Sequence, residues 1–296
     1  MTCTRRHAVV TGASSGIGRA TALRLSRHGL HVFATVRRPE DGEALRGAAT
    51  GELTPLLMDV TDLDSVKRAA EEVRPHVADA GLDALVNNAG VGLAWPMELV
   101  PLDQFRWQFA VGVDGQVAVT QAFLAMVRSA RGRIVVIGSV GDRITIPFGG
   151  PLSAAKHALA SVTEALRLEL APWNIRVVLV EPGSIYTAAV AKMETSVRKA
   201  LQEFGTEGRA LYGATFEAMM TKGLARERHG SPPEAVAAVV VRAIESRRPR
   251  SRYLVGKDAR FLAAAAALPP VLLDALRGRI FGLPPRGAFA PRRWLV

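Results

Sequence analysis

The chain of 296 residues contains one cysteine, Cys3, and three tyrosines, the first of them at position 186. A single thiol excludes an internal disulfide framework and fits a reducing compartment. No run reaches the about 18 consecutive apolar residues of a membrane span. The opening MTCTRRHAVV has no apolar signal core, so a cytoplasmic protein without a membrane span is expected. Acidic residues are also in short supply: Lys+Arg 38 against Asp+Glu 27 leaves a formal charge of +11. That excess sits late, in RRPRSR (247–252) and PRRW (291–294), without the interleaved aromatics of a nucleic-acid reader, so no nucleic-acid partner is expected. The apolar stretch RFLAAAAALPPVLLDAL (260–276) is split by two prolines and reads as a packed helix pair rather than a lipid-surface element.

What is abundant is buried-strand sequence. HAVVTG (7–12), HVFATV (31–36), TPLLMDV (54–60), LDALVNNAG (82–90), GRIVVIGS (132–139) and IRVVLVEPG (175–183) are continuous Val, Ile and Leu runs. Continuity rather than alternation means burial on both faces, as in a parallel sheet. Helical spacing occupies 16–29, about 62–79, 102–129 and 154–171. Right-handed crossovers then predict an α/β protein with a Rossmann-type doubly wound sheet of order 3-2-1-4-5-6-7. With no linker composition in the chain, 1–296 reads as one domain. Its helical lid covers about 188–230, and a helical extension follows at about 257–296.

The first strand runs into TGASSGIG (11–18), whose Gly12, Gly16 and Gly18 lie between a strand and a helix. Gly12 permits a tight turn, Gly16 close approach to a pyrophosphate, and Gly18 tight helix packing; Ser14, Ser15 and Ile17 complete the loop. Three further pieces follow in order: Asp59-Val60, NNAG (87–90) and PGSIYT (182–187). On these motifs the chain resembles the short-chain dehydrogenase/reductase family from residue 7 to about 256. Its mid-chain details and RYLVG (252–256) are similar to retinol and hydroxysteroid dehydrogenase-like members. The resemblance implies Asp59 and Val60 at an adenine, and Asn87, Asn88, Ala89 and Gly90 flanking the nucleotide. It also implies Pro182 and Gly183 in the loop, with Ile185 and Thr187 on the nicotinamide amide. The second strand ends at Val36 followed by Arg37 and Arg38 rather than by a carboxylate. Guanidinium groups there suit a 2′-phosphate, so NADP(H) is the expected cofactor.

In that family a tyrosine protonates the carbonyl oxygen, a lysine lowers the phenol's pKa and holds the ribose, a serine binds the substrate oxygen, and an asparagine anchors a water relay. Ser139 and Lys156 match the serine and lysine. The tyrosine position is Leu152 and the asparagine position, in FAVGVDG (109–115), is Gly112. Two of four roles are vacant together. A leucine donates no proton, and losing a general acid typically costs ~10²–10⁴-fold. Tyr186 is one conceivable substitute and otherwise a lid residue at the substrate mouth. His157 reads as a surface or packing histidine. Trp95, Phe148, Leu152 and Tyr186 are candidate substrate contacts, and the apolar lid suggests a bulky apolar ligand; no metal ligands are assigned.

Three readings stay open on the residues. The first is an atypical NADP(H)-dependent reductase acting on a bulky ketone, enone or iminium, in specialised metabolism. The second is a nucleotide-binding but redox-inactive partner or sensor, and the third a cyclase or dehydratase on the same scaffold. The resemblance also implies a homodimer or homotetramer.

Overall fold

The computed structural model describes residues 6–285 and Ala288. Cys3, the end of the expected extension and the PRRW run lie outside the described residues. Seven parallel strands form one sheet of order β3-β2-β1-β4-β5-β6-β7, as the crossover argument predicts. They are β1 (Arg6–Val10), β2 (Leu30–Val36), β3 (Leu53–Leu57), β4 (Ala84–Asn87), β5 (Arg133–Ile137), β6 (Arg176–Pro182) and β7 (Arg252–Val255). Between the first six strands run α1 (Gly16–Arg27), α2 (Pro39–Ala48), α3 (Leu63–Val77), α4 (Leu102–Phe109), α5 (Gly115–Ala130) and α6 (Gly150–Glu169). After β6 come α7 (Ala189–Glu203), the short α8 (Gly205–Gly208), α9 (Ala214–Arg228) and α10 (Pro233–Glu245). After β7 come α11 (Ala259–Ala265) and α12 (Pro270–Phe281).

Both faces of the sheet are buried, which is why its strands are uninterrupted apolar runs. Successive side chains alternate between two cores. Ala8, Val10, Val32 and Ala34 face Leu25 of α1, Leu45 of α2 and Val240 of α10. Val9, Phe33, Ile134 and Val136 face Val66 of α3, Phe123 of α5 and Leu159 of α6. The helices α2 and α10 lie where the sequence reading assigned none. In α10 the run AVAAVVV hides the helical period behind β-branched residues, and α2 buries only Gly42 and Leu45.

The stretch Leu102–Ala130 is long and apolar enough to cross a membrane by length and composition, although it holds no run of 18 consecutive apolar residues. Here it packs on the sheet, with Val119, Phe123 and Val127 fully enclosed. Its axis is interrupted by a π-turn over Ala110–Asp114, where the Gly115 N–H reaches back five residues to the Ala110 carbonyl. Such turns insert one residue into a helix and recur at functional sites. Gly112 stands in the middle of this one.

Candidate active site

The strands are parallel, so their C-terminal ends open on one edge of the sheet, the usual place for a ligand in this architecture. Gly12 (φ 64°) and Gly16 (φ 56°) adopt left-handed backbone, which L side chains rarely take. A Cβ on Gly18 would lie 2.3 Å from the Gly12 carbonyl oxygen and 2.4 Å from the Asn88 amide nitrogen. The loop is tied to the sheet by side chains the sequence reading passed over. The Thr11 hydroxyl accepts from the Asn88 and Ala89 N–H groups, both at 2.9 Å, and the Gly12 N–H donates to Thr35 Oγ1 at 3.3 Å.

At the start of α1 the Ser15 side chain caps nothing, and the first turn holds no acid. Backbone N–H groups at a helix N-terminus with neither cap nor carboxylate fit an anionic group. Together with the crowding at Gly18, this makes the residues present fit a dinucleotide's pyrophosphate. Gly90 is exposed, with only the Asn88 carbonyl within 4 Å of an added Cβ. Thr187 lies against Gly16, 3.2 Å from where a Cβ would stand, which brings PGSIYT to the glycine loop.

Several expected ligands have other duties. Asn87 is buried, and its amide donates to Thr120 Oγ1 at 2.7 Å, so it braces β4 against α5 instead of facing a nucleotide. The Asn88 amide holds the Thr11 and Gly12 carbonyls at 2.8 and 3.2 Å and shapes the loop from behind. Ile185 has its side chain in the core and its N–H on Glu227 Oε2 at 3.2 Å. Val60 is buried against Gly115. Asp59 accepts from the Thr61 N–H and hydroxyl at 2.9 and 2.7 Å. Burial pushes the Asp59 carboxyl up, but those bonds and the Arg37 charge outweigh it and hold it below the ordinary value.

Arg38 departs from expectation as well. Its guanidinium grips Asp41 with two bonds of 2.9 and 3.0 Å, which fixes it at the start of α2. Arg37 is exposed and forms no ion pair among the described residues. Lys192, from α7, comes near enough for its charge to help lower the Asp41 carboxyl, behind the larger effect of the Arg38 bond.

At the chemical end, Ser139 follows β5 in extended backbone, and its hydroxyl accepts from the Gly141 N–H at 3.0 Å. Leu152 lies in the first turn of α6, one turn ahead of Lys156 on the same face. The Lys156 ammonium donates to the Ile137 carbonyl at 2.9 Å. Withdrawal from water pushes its pKa down to about 8, partly opposed by the negative charge of Asp142. Asp142 itself is buried beside Glu181, with Arg143 and Arg252 around the pair. Burial, with Glu181 adding to it, holds the Asp142 carboxyl above the ordinary carboxylate range.

A lysine depressed in the folded state contributes stability that is present above its ordinary 10.5 and lost as pH falls through about 8. Melting curves of the parent and Lys156→Met should therefore separate in the parent's favour as pH rises from 8 to 10.5. A difference independent of pH would show that the ammonium is not desolvated.

The wall at Leu152 is hydrocarbon. A Cβ on Gly92 would sit 2.6 Å from Met193 Cε and 4.0 Å from Leu152 Cδ2. Phe148, at φ 58°, holds a left-handed backbone unusual for a bulky residue and aims its carbonyl at the Trp95 N–H, 2.8 Å away. That bond joins the segment after β4 to the loop before α6. Trp95, however, is only 2% exposed and packs on Phe204, so it supports the lid from beneath and does not face a substrate. Phe148 packs edge-on against Phe216 and Tyr212 in the same cluster. Tyr186 is 57% exposed, with its N–H on the Ser231 carbonyl at 2.9 Å. His157 is exposed and bonded to the Ser153 carbonyl. A separate hollow of about 470 Å³ beside α7 and α8 is lined by none of these residues.

The short chain dehydrogenase family model matches residues 6–198. An NADPH-dependent 3-dehydrocapnine reductase of Ornithobacterium rhinotracheale is 36% identical over 92% of this chain and 95% of its own. Human retinol dehydrogenase 5 is also 36% identical, over 90% of this chain and 86% of its own length. Among solved structures, a short-chain dehydrogenase from Streptomyces avermitilis superposes with a TM-score of 0.72 at 27% identity, covering 94% of this chain and 95% of that one. One from Burkholderia cenocepacia in complex with NADP gives 0.68 at 25%, over 96% and 100%. With the family model matching residues 6–198 and a relative 36% identical over 92% of the chain, on a sheet of order 3-2-1-4-5-6-7, the chain belongs to the short-chain dehydrogenase family.

Proposed function

We propose that the protein is an NADPH-dependent reductase that delivers hydride to a bulky apolar acceptor needing no proton from the enzyme, such as an iminium or an enone. One observation carries the reading: a glycine loop and an uncapped helix start that fit a dinucleotide's pyrophosphate occur together with a leucine, beside Met193, where the family has its proton donor. The NADPH-dependent 3-dehydrocapnine reductase supports the choice of cofactor. Arg37, free of ion pairs among the described residues, is the group for the 2′-phosphate. Lys156, on the Ile137 carbonyl, is the group for the ribose hydroxyls.

The cofactor, when bound, supplies a hydride at nicotinamide C4. For an iminium the balance closes without a donor. Hydride forms the new C–H bond, the C=N π pair moves to nitrogen, and neutral amine leaves with oxidised cofactor. In an enone hydride would form the C–H bond at the β-carbon and the charge would move to the oxygen, which the Ser139 hydroxyl can bind until the enolate is released and takes its proton from water. Met193, Leu152 and Phe148 exclude water and select for apolar bulk. We further infer a cytoplasmic homodimer or homotetramer, in keeping with the family.

The deciding experiment offers deuterated NADPH with a panel of cyclic iminium ions and enones and follows label into product by mass spectrometry. Label should appear, and with iminium substrates Ser139→Ala should retain kcat/KM within about tenfold, because no general acid is lost. Bound NADPH with no label in any product would leave a redox-inactive nucleotide binder as the better reading.

A further inference from the structure

The vacant asparagine place is not empty space. Gln108, four residues before Gly112, is among the largest fully buried side chains of the protein at 1% exposure. Its Nε2 donates to the Val91 carbonyl at 3.1 Å. A Cβ on Gly112 would find that same Nε2 at 3.4 Å and Ala155 Cβ at 3.6 Å as its neighbours. Four residues beyond Gly112, the buried Gln116 donates through its own Nε2 to the Ala89 carbonyl. Two amides on either side of the π-turn therefore fasten Ala89 and Val91, the segment that leaves NNAG. Both leave a buried Oε1 with no protein partner, the arrangement in which an enclosed water is expected.

We propose that Gln108 is a positioning residue. From one helical turn away it brings an amide into the place that the functional group of a longer side chain at position 112 would fill: an added Cβ still fits at ordinary contact, 3.4 Å from Nε2, but an amide beyond it would meet Gln108. The π-turn widens the helix at that point, and Ala155 precedes Lys156 on the facing helix. Gln108 thereby spans the gap between the strand-end segment and the Lys156 helix. The chain has relocated this group, not discarded it.

The proposal predicts reciprocal rescue. The amide nitrogen of an asparagine stands about 2.5 Å from its Cβ, so one on residue 112 reaches the space now held by Gln108 Nε2. Gln108→Ala should weaken NADPH binding about tenfold, as for one buried hydrogen bond and its cavity. Gly112→Asn alone should also weaken binding, roughly 5- to 100-fold, because two amides contend for one place. The double variant Gln108→Ala/Gly112→Asn should return to within about threefold of the parent. Gln108→Ala/Gly112→Leu, which restores volume but no amide, should not.

NADPH fluorescence titration and thermal melting are read on all five proteins. Additive losses in the cycle, or equal rescue by leucine, would overturn the proposal. The binding readout rests on the NADPH reading above. If the parent binds no NADPH, that reading fails by itself, while the melting cycle still decides the present one: the asparagine double variant must melt above both single variants. If Gln108→Ala does not fold, Gln108→Val, which still vacates the space of the amide while keeping more of the side chain's packing, runs the same cycle.

Discussion

Leu152→Tyr is expected to raise NADPH-dependent reduction of an unactivated aryl ketone by roughly 10²- to 10⁴-fold, the range a general acid contributes. The geometry around position 152 is already that of an acid's support. Lys156 lies one turn along α6 with its ammonium on the Ile137 carbonyl. A cation in a poorly hydrated site lowers a neighbouring phenol's pKa more than the same cation in water does. Ser139 follows β5 with its hydroxyl engaged, among the described residues, only by the Gly141 N–H. Across from Leu152 the space beside Gly92 is filled by the Met193 methyl, the end of an unbranched, flexible side chain that can move aside for a ring. The measurement is kcat/KM on a series of ketones of rising bulk, with iminium reduction followed in parallel. Ketone turnover should rise, and iminium turnover should stay level or fall as a phenol enters the apolar wall. A variant that binds NADPH as the parent does yet gains nothing on any ketone would mean that the scaffold no longer aims hydride at a carbonyl beside position 152.

The same variant shows what the sequence could and could not convey. Leu152 and Gly112 are legible as vacancies, since each is fixed by spacing from a residue that is kept: Lys156 for the first, Gly115 for the second. From the sequence alone the natural restoration is therefore to replace both. The structure separates them. Gln108 Nε2 lies 3.4 Å from where a Cβ on Gly112 would stand, so on the proposal above an asparagine amide there contends with Gln108, and the single Leu152→Tyr is the cleaner experiment. A buried glutamine in the helix FRWQFAVGVDG looks like an ordinary polar residue until the helix face it shares with Gly112 and Gln116 is seen.

The strands were readable for a related reason. Burial on both faces leaves an uninterrupted apolar signature, whereas α10, built from AVAAVVV, carries a similar signature into a helix. What resisted reading was the use of side chains once folded. Asn87, Asn88 and Ile185 carry the motif, yet their donors are spent on Thr120, on the glycine loop and on Glu227. A motif specifies residue types along the chain; hydrogen bonds between distant segments decide which of them still face a ligand.

Arg37→Asp is expected to weaken NADPH binding roughly 100-fold while changing NADH binding by less than about threefold, since a charge-assisted bidentate contact accounts for about two to three kcal/mol. The paired arginines after β2 are indistinguishable in sequence, but the fold divides their work. Arg38 is the start of α2: its two bonds to Asp41 satisfy the fork of the guanidinium and raise the arginine's pKa, the Asp41 bond being the largest cause. Turning it toward a phosphate would strand Asp41 in the same place, so Arg38→Ala should cost little selectivity. Arg37 has no such partner among the described residues. Its charge reaches Asp59 and Asp41, where it helps keep both carboxyls ionised. Reversing it places a third negative charge between those two, which repels a 2′-phosphate and offers the ribose diol of NADH a new acceptor. Parallel titrations of the parent, Arg37→Asp and Arg38→Ala with both nucleotides decide the matter. Equal losses for NADPH and NADH in Arg37→Asp would assign the residue to the folding of the loop, and a selective loss in Arg38→Ala would move the phosphate to the neighbouring guanidinium.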